Sequence, residues 1–110
     1  MPKEDWLRTP QEVVRGLSAP DTLGLESRVE IRKAAISLLE DMPEGTGRLI
    51  IDLGRTRHID SAGLGALMLI QRSAAERRQT VVLRNPSEEI RFLLVLTKLY
   101  DLFHIELGDD

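Results

Sequence analysis

The sequence predicts a single α/β domain, with a mainly parallel central sheet of about four to five strands packed with about four helices. Strand-like apolar runs alternate with helix-like amphipathic segments, which is the pattern of strand–helix–strand crossovers in a parallel sheet. The length of 110 residues allows one hydrophobic core and is too short for two. We therefore assign residues 1–110 to one domain, with residues 1–12 as an irregular arm or a poor edge strand.

The composition excludes several classes of function. With 15 basic and 18 acidic residues, the net charge of −3 gives no strong attraction to nucleic acid or anionic lipid. The absence of cysteine removes disulfides, thiolate zinc sites and cysteine catalysis. The first residues are charged where a secretory signal needs an apolar run, and no apolar run approaches the ~20 residues of a membrane span. We expect a cytoplasmic protein with no membrane insertion and no direct nucleic-acid binding.

The first half of the chain predicts two strands around one helix. Residues 13–17 predict a short strand, and residues 19–22 a turn that supplies a helix N-cap. Apolar residues at helical intervals predict a helix from about 23 to 41, ended by Pro43 and the following glycines. Residues 49–53 are apolar except for Asp52, which is typical of a strand buried on both faces.

The second half predicts two further strands and two helices. A helix is expected from about 61 to 78, with Leu64, Leu67, Met68 and Ala75 on one face and with Met68 and Leu69 in the core. Its apolar residues cover most of its circumference, so it is either central or in contact with a partner. A strand at 81–83, a helix opened by Asn85-Pro86-Ser87, a short element at 99–102 and a strand at 103–105 follow.

Residues 48–65 are the most informative segment, because they carry an apolar strand, a turn and then Asp60 and Ser61 at a predicted helix start. A helix N-terminus has free backbone N–H groups and the positive end of the helix dipole, which suit an anion or a phosphate. The hydroxyl of Ser61 is therefore a candidate for three roles: a helix cap, a catalytic nucleophile or a site of modification.

The catalytic motifs that this segment approaches are incomplete. The nucleophile elbow Gly-x-Ser-x-Gly fails at Ile59, and the dinucleotide motif Gly-x-Gly-x-x-Gly fails at Met68. Neither His58 nor His104 has the spacing of a catalytic triad. The carboxylates of Asp52 and Asp60 have no third metal ligand nearby in the sequence. We therefore expect no catalytic residue, no cofactor and no metal.

Modification of Ser61 would act as a switch. Phosphorylation adds about −1.5 to −2 charges, which the positive end of the helix dipole tolerates within the domain. A partner docked over the same residues would meet an uncompensated charge beside Asp60, and its binding would weaken. The alternative, that Asp60 and Ser61 only satisfy free N–H groups at the helix start, stays open from these residues alone.

Residues 59–67, Ile-Asp-Ser-Ala-Gly-Leu-Gly-Ala-Leu, closely resemble the signature of the anti-sigma-factor antagonist family, the bacterial members of the STAS domain class. Residues 49–53, Asn85-Pro86-Ser87 and residues 99–103 also follow the family layout, so the resemblance covers about 48–106. It implies a sheet covered by helices and a phosphoacceptor serine, which maps onto Ser61. It also implies an anti-sigma factor with serine kinase activity as partner, and a PP2C-type phosphatase acting on phospho-Ser61.

In such proteins the unphosphorylated form binds the anti-sigma factor and frees a sigma factor, so the resemblance implies a protein that is not an enzyme. We expect Asp60 to cap the helix, which leaves Ser61 free. We expect the partner to contact the residues around the helix start: Asp52, Arg57, His58, Asp60, Ala62, Gly63, Leu64 and Gly65. A homodimer is left open. The alternative function is a non-switched STAS scaffold or adaptor subunit, in a stress-signalling assembly or a lipid-transport ATPase complex.

The chain departs from the family pattern at three places. Gly16-Leu17-Ser18 lacks the acid that usually ends the corresponding strand, and the turn at 55–58 is Arg-Thr-Arg-His where apolar residues are usual. Both flank the expected binding surface and would alter partner choice. We interpret Arg55, Arg57 and His58 as a solvated turn, with pairing to partner acids or to the added phosphate as the alternative. Lys98 stands near the end of the last long helix, where a glycine is common in the family. We interpret this difference as local backbone variation.

Overall fold

The computed structural model describes residues 12–108, so the arm predicted at the N-terminus lies almost wholly outside the described residues. The described chain has six strands, three α-helices and one short 3₁₀ helix. In chain order they are β1 (Val13–Ser18), β2 (Thr22–Leu23), α1 (Arg28–Asp41), β3 (Gly47–Asp52), β4 (His58–Ile59), α2 (Ser61–Glu76), β5 (Thr80–Arg84), α3 (Glu88–Leu96), the 3₁₀ helix (Tyr100–Leu102) and β6 (His104–Glu106). The predicted α/β class is confirmed, with one α-helix fewer in this part of the chain than the four expected.

The central sheet has four strands in the order β1-β3-β5-β6, and every neighbouring pair is parallel. The chain therefore steps across the sheet in one direction, and right-handed crossovers place all the connecting helices on the same face. The composition of the core supports this placement of the helices. Residues of the sheet form one cluster with buried residues of α1, α2 and α3, and these sheet residues are Leu49, Ile51, Val81 and Leu83. The predicted parallel sheet is confirmed.

The prediction that the strand at 49–53 is buried on both faces is wrong. Along β3 the residues alternate between buried and half-buried, with Leu49 and Ile51 towards the helices and Ile50 and Asp52 on the other face. The reason is the topology: with every helix on one face, the opposite face of the sheet has no helical layer within residues 12–108.

The first helix starts later than predicted and has a different residue at its N-cap position. Residues 22 and 23 form β2, which pairs in parallel with β4, so α1 begins at Arg28 with Ser27 as its N-cap. The Ser27 hydroxyl does not cap the helix; it donates to the Thr22 carbonyl and accepts from the Gly24 N–H. The helix ends at Asp41, just before Pro43, as predicted.

The end of α1 is held by a buried polar side chain. The Gln79 amide donates to the carbonyls of Leu39 at 2.9 Å and of Met42 at 3.2 Å, and the Leu39 carbonyl also accepts the Met42 N–H at 3.2 Å. This contact joins the end of α1 to the start of β5.

The buried face of α2 differs from the one predicted. Its buried residues are Gly63, Ala66, Leu67, Ile70 and Ala74, which follow helical spacing. Met68 and Leu69, predicted to lie in the core, are 46% and 37% exposed. Because apolar residues surround this helix, their spacing does not identify its buried face. The apolar residues outside that face, such as Met68 and Leu69, are exposed at the surface.

The C-terminal third follows the prediction closely. Ser87 caps α3, accepting the Ile90 N–H on its hydroxyl at 3.2 Å, and the 3₁₀ helix falls within the predicted element at 99–102. Lys98 adopts the left-handed conformation, with φ of 63°, where glycine is favoured. No helix among residues 12–108 is long and apolar enough to cross a membrane.

Candidate functional site

Asp60 is the N-cap of α2, as the sequence predicts. Its Oδ1 accepts the Gly63 N–H at 2.9 Å, and its Oδ2 accepts the Leu25 N–H at 3.2 Å, from the loop before α1. The hydrogen bond from Gly63 and those from other backbone N–H groups hold the pKa of this carboxyl below its usual value. Asp60 is therefore anionic at neutral pH and fixes the start of α2 against the start of α1.

Ser61 is the first residue of α2 and is exposed. Within residues 12–108 its hydroxyl makes no hydrogen bond, and the start of the helix is capped by the Asp60 carboxylate instead. The described part of the chain also holds no group of three His, Asp or Glu side chains that could bind a metal. The arrangement leaves the Ser61 hydroxyl accessible at the surface.

Two glycines let this junction close. Gly63 is buried, and a Cβ at that position would collide with the Leu23 carbonyl of β2. A Cβ at Gly24 would collide with the Asp60 carboxylate. The predicted helix from about 23 to 41 includes Gly24, because the two-residue strand before it has no recognisable sequence pattern.

Gly65 has no such packing role, since an added Cβ there would meet nothing within 4 Å. It lies on a groove of about 450 Å³ between α1 and α2. The groove is lined on the α1 side by Arg28, Val29 and Arg32, and on the α2 side by Ser61, Ala62, Gly65, Ala66, Met68 and Leu69. The serine, a glycine and two exposed apolar side chains thus share one surface.

The predicted partner-binding residues do not all lie together. Ala62 and Gly65 line the groove beside Ser61, whereas Gly63 is buried and Leu64 is half-buried against the core. Asp52 lies on the open face of the sheet, where its Oδ1 accepts the Gly54 N–H at 2.7 Å. That these residues contact a partner stays a prediction.

Arg57 and His58 line a second hollow, of about 960 Å³, together with Asp21, Gly54, Arg55, Thr56, Ser87 and Glu89. Arg55, Arg57 and His58 are exposed, and Arg57 forms an ion pair with Asp21 at 3.6 Å. Thr56 is buried, and its hydroxyl donates to the Pro20 carbonyl at 2.8 Å. The basic turn is therefore anchored at its centre, a feature that no local sequence pattern indicates.

Arg28 and Arg32 were also missed as site residues. They belong to α1, and no motif in the sequence shows which face of α1 lies beside Ser61. Packing of α1 against α2 brings both arginines to the groove.

The fold and this junction define a small parallel α/β domain that displays a serine at the start of its second helix. The family model described as "Mlab, STAS domain" matches residues 14–105, and the chain belongs to this STAS domain family. The resemblance stated from residues 48–106 is confirmed at the level of the family.

Three known proteins show how far the likeness extends. A STAS-domain-containing protein of Pseudomonas aeruginosa (strain UCBPP-PA14) is 33% identical over 58 residues, which are 53% of this chain and 57% of that protein. The match thus spans less than two thirds of that relative.

A Thermotoga maritima protein, proposed in its description to be an anti-sigma factor antagonist, superposes with a TM-score of 0.73 at 24% identity, covering 91% of this chain and 86% of its own. The anti-sigma factor antagonist SpoIIAA in its unphosphorylated form gives 0.71 at 15% identity, covering 94% and 86%. The phosphorylated form of the Bacillus SpoIIAA gives 0.67 at 16% identity, covering 94% and 89%. At these identities the likeness shows a shared fold.

Proposed function

We propose that this protein is a non-enzymatic anti-sigma-factor antagonist controlled by phosphorylation of Ser61. The unphosphorylated form binds an anti-sigma factor that is also a serine kinase, and so frees a sigma factor. Phosphorylation weakens that binding, and a PP2C-type phosphatase reverses it. The observation that supports this most is that Asp60 caps α2, which leaves the exposed Ser61 hydroxyl without a hydrogen bond to any of residues 12–108.

The position of Ser61 suits a switch that leaves the fold intact. A phosphate there lies at the positive end of the α2 dipole, in solvent and outside the core. It also lies on the rim of the groove that carries the exposed Met68 and Leu69. A partner that covers the groove must bury the phosphate beside the anionic Asp60, which opposes binding.

The first test is phosphate transfer. Incubation with the cognate kinase and ATP should place one phosphate on Ser61, detected by mass spectrometry, and Ser61→Ala should take up none. Equal incorporation into Ser61→Ala would refute the assignment.

The second arm of this test measures binding to the same kinase by calorimetry. Ser61→Asp should fold as the wild type does and bind at least about tenfold more weakly, a loss of about 1.4 kcal/mol. Ser37→Asp is the matched control, because Ser37 is an exposed serine of α1 that does not line the groove. Its affinity should equal that of the wild type.

The same experiment distinguishes the scaffold alternative. A partner that binds wild type and Ser61→Asp equally, with no phosphate uptake by either, would instead identify a non-switched subunit of a stress-signalling assembly or a lipid-transport ATPase complex.

A further inference from the structure

We propose that Arg28 and Arg32 form a receptor within this chain for the phosphate on Ser61. Their guanidinium groups pair with the phosphate across the groove between α1 and α2, and in doing so they close that groove. This inference rests on the proposed phosphorylation of Ser61 and names how the modified state is held.

The geometry brings the three residues to one surface. Arg28 is the first residue of α1 and Ser61 the first residue of α2, and both line the same groove together with Arg32. The two helix starts are joined, because the Asp60 carboxylate accepts one N–H from each side, from Gly63 and from Leu25. The arginines and the hydroxyl are thus held on connected, rigid elements.

The charges of Arg28 and Arg32 are unfavourable in the unmodified protein. A cation in the first turn opposes the helix dipole, and two like charges four residues apart on a helix repel each other. Neither residue forms an ion pair with any carboxylate in residues 12–108, whereas Arg15, Arg48, Arg57, Arg77 and Arg84 each do. An added anion beside them would remove both unfavourable effects.

The chemistry of a phosphoserine matches what these arginines offer. The phosphate carries close to two negative charges and three acceptor oxygens, and guanidinium groups bind such oxygens in a bidentate manner. The anionic Asp60 next to Ser61 repels the added phosphate, so cationic groups are needed to stabilise it there. The N-terminus of α2 also favours the phosphate through its dipole and its free N–H groups. One of those groups is already used, since the Gly63 N–H donates to Asp60.

Pairing also changes the shape of the groove. The α2 wall beside Ser61 is low, because it consists of Ala62, Gly65 and Ala66. Arginine side chains drawn towards phospho-Ser61 would lie over this wall and cover the surface proposed for the partner. Phosphorylation would then block docking by occupancy as well as by charge.

The test uses phosphoserine inserted at position 61 during translation, so that it does not depend on any kinase. The second pKa of the phosphate is followed by ³¹P NMR in wild type, Arg28→Gln, Arg32→Gln and the double variant. We expect a second pKa about one unit lower in wild type than in the double variant, with the single variants between them. Asp60 is present in all four proteins, so its opposite effect cancels in the comparison.

Lys33→Gln is the matched control, because it removes one positive charge from an exposed position of α1 outside the groove. It should leave the phosphate pKa at the wild-type value, and amide NMR spectra of all unphosphorylated variants should show the native fold. Equal pKa values in wild type and double variant, or an equal shift in Lys33→Gln, would overturn the inference. Failure of kinases to modify Ser61 would instead refute the proposed function and leave this result standing.

Discussion

Two glycines in the first two turns of α2 have opposite roles, although they are only two residues apart. Gly63 is required by the fold, because its missing side chain makes room for the Leu23 carbonyl. Gly65 sits in a helix interior with open space beside it, where glycine lowers stability relative to alanine. The structure therefore separates a glycine retained for packing from one that shapes a groove.

Alanine substitutions should distinguish these two roles. Gly65→Ala should raise the free energy of unfolding by about 0.5–1 kcal/mol, because it improves helix propensity without a clash. Gly63→Ala should lower it by about 1–3 kcal/mol, because the new Cβ forces the helix start away from β2. Urea unfolding followed by circular dichroism measures both changes. Destabilisation by Gly65→Ala equal to that by Gly63→Ala would show that both glycines are needed for packing.

Residues differ in how well the sequence predicts their roles. The Asp60 cap and the Ser87 cap were predictable, because capping depends on neighbours within a few residues along the chain. Gly24, Thr56 and the two groove arginines depend on partners that are distant in sequence, such as Pro20 for Thr56. Local patterns carry no information on such pairs, and these residues became apparent only in the fold.

At the scale of the element, α2 and α3 end in the same C-terminal motif. Both lack the glycine that usually occupies its left-handed position, where this chain has Arg78 and Lys98. After α3 the Leu99 N–H donates to the Leu94 carbonyl and the Lys98 N–H to the Val95 carbonyl, which is the Schellman pattern. The end of α2 repeats it with Arg78, whose φ is 55°. A side chain in the left-handed region is disfavoured, so both helix ends carry backbone strain.

Lys98→Gly should relieve that strain at the end of α3. We expect the free energy of unfolding to rise by about 0.5–1 kcal/mol, since glycine adopts the left-handed conformation without the Cβ penalty. Lys98→Ala is the control, because it removes the same charge but keeps the Cβ. Thermal denaturation should give a higher midpoint for the glycine variant than for the alanine variant, and the reverse order would contradict this account.

Element boundaries were predictable where caps and breakers were clear and less so elsewhere. Pro43 and Ser87 marked the end of α1 and the start of α3 correctly. The start of α1 was placed too early because β2 has only two residues and is stabilised by pairing with β4. The buried face of α2 was assigned wrongly because its apolar residues surround the helix, and only contact with the sheet selects one side.

At the scale of the whole molecule, one hydrophobic cluster contains residues of all three α-helices and of the sheet strands between them. The parallel order follows from the alternation of strands and helices, so the architecture was predictable. The absence of helices from one sheet face within residues 12–108 was not predictable, because strand order is set by crossovers rather than by the pattern of any single strand.

A single shared core predicts a single cooperative unfolding transition. Calorimetry should give equal calorimetric and van't Hoff enthalpies. Leu39→Ala in α1 and Leu94→Ala in α3 should each lower the stability of that one transition by about 2–5 kcal/mol, because both side chains are fully buried. A second transition that responds only to the α3 substitution would show that the domain unfolds in parts.

The placement of the helices of residues 12–108 on one face of the sheet has a practical consequence for experiments on this protein. Thr80 is exposed at the amino end of β5, on the face opposite the helices, while the groove beside Ser61 lies at the carboxyl edge among them. Because the chain contains no cysteine, Thr80→Cys would create its sole thiol. Molecules tethered through that thiol to a sensor surface would all be oriented alike, each presenting the serine and its groove to the solution.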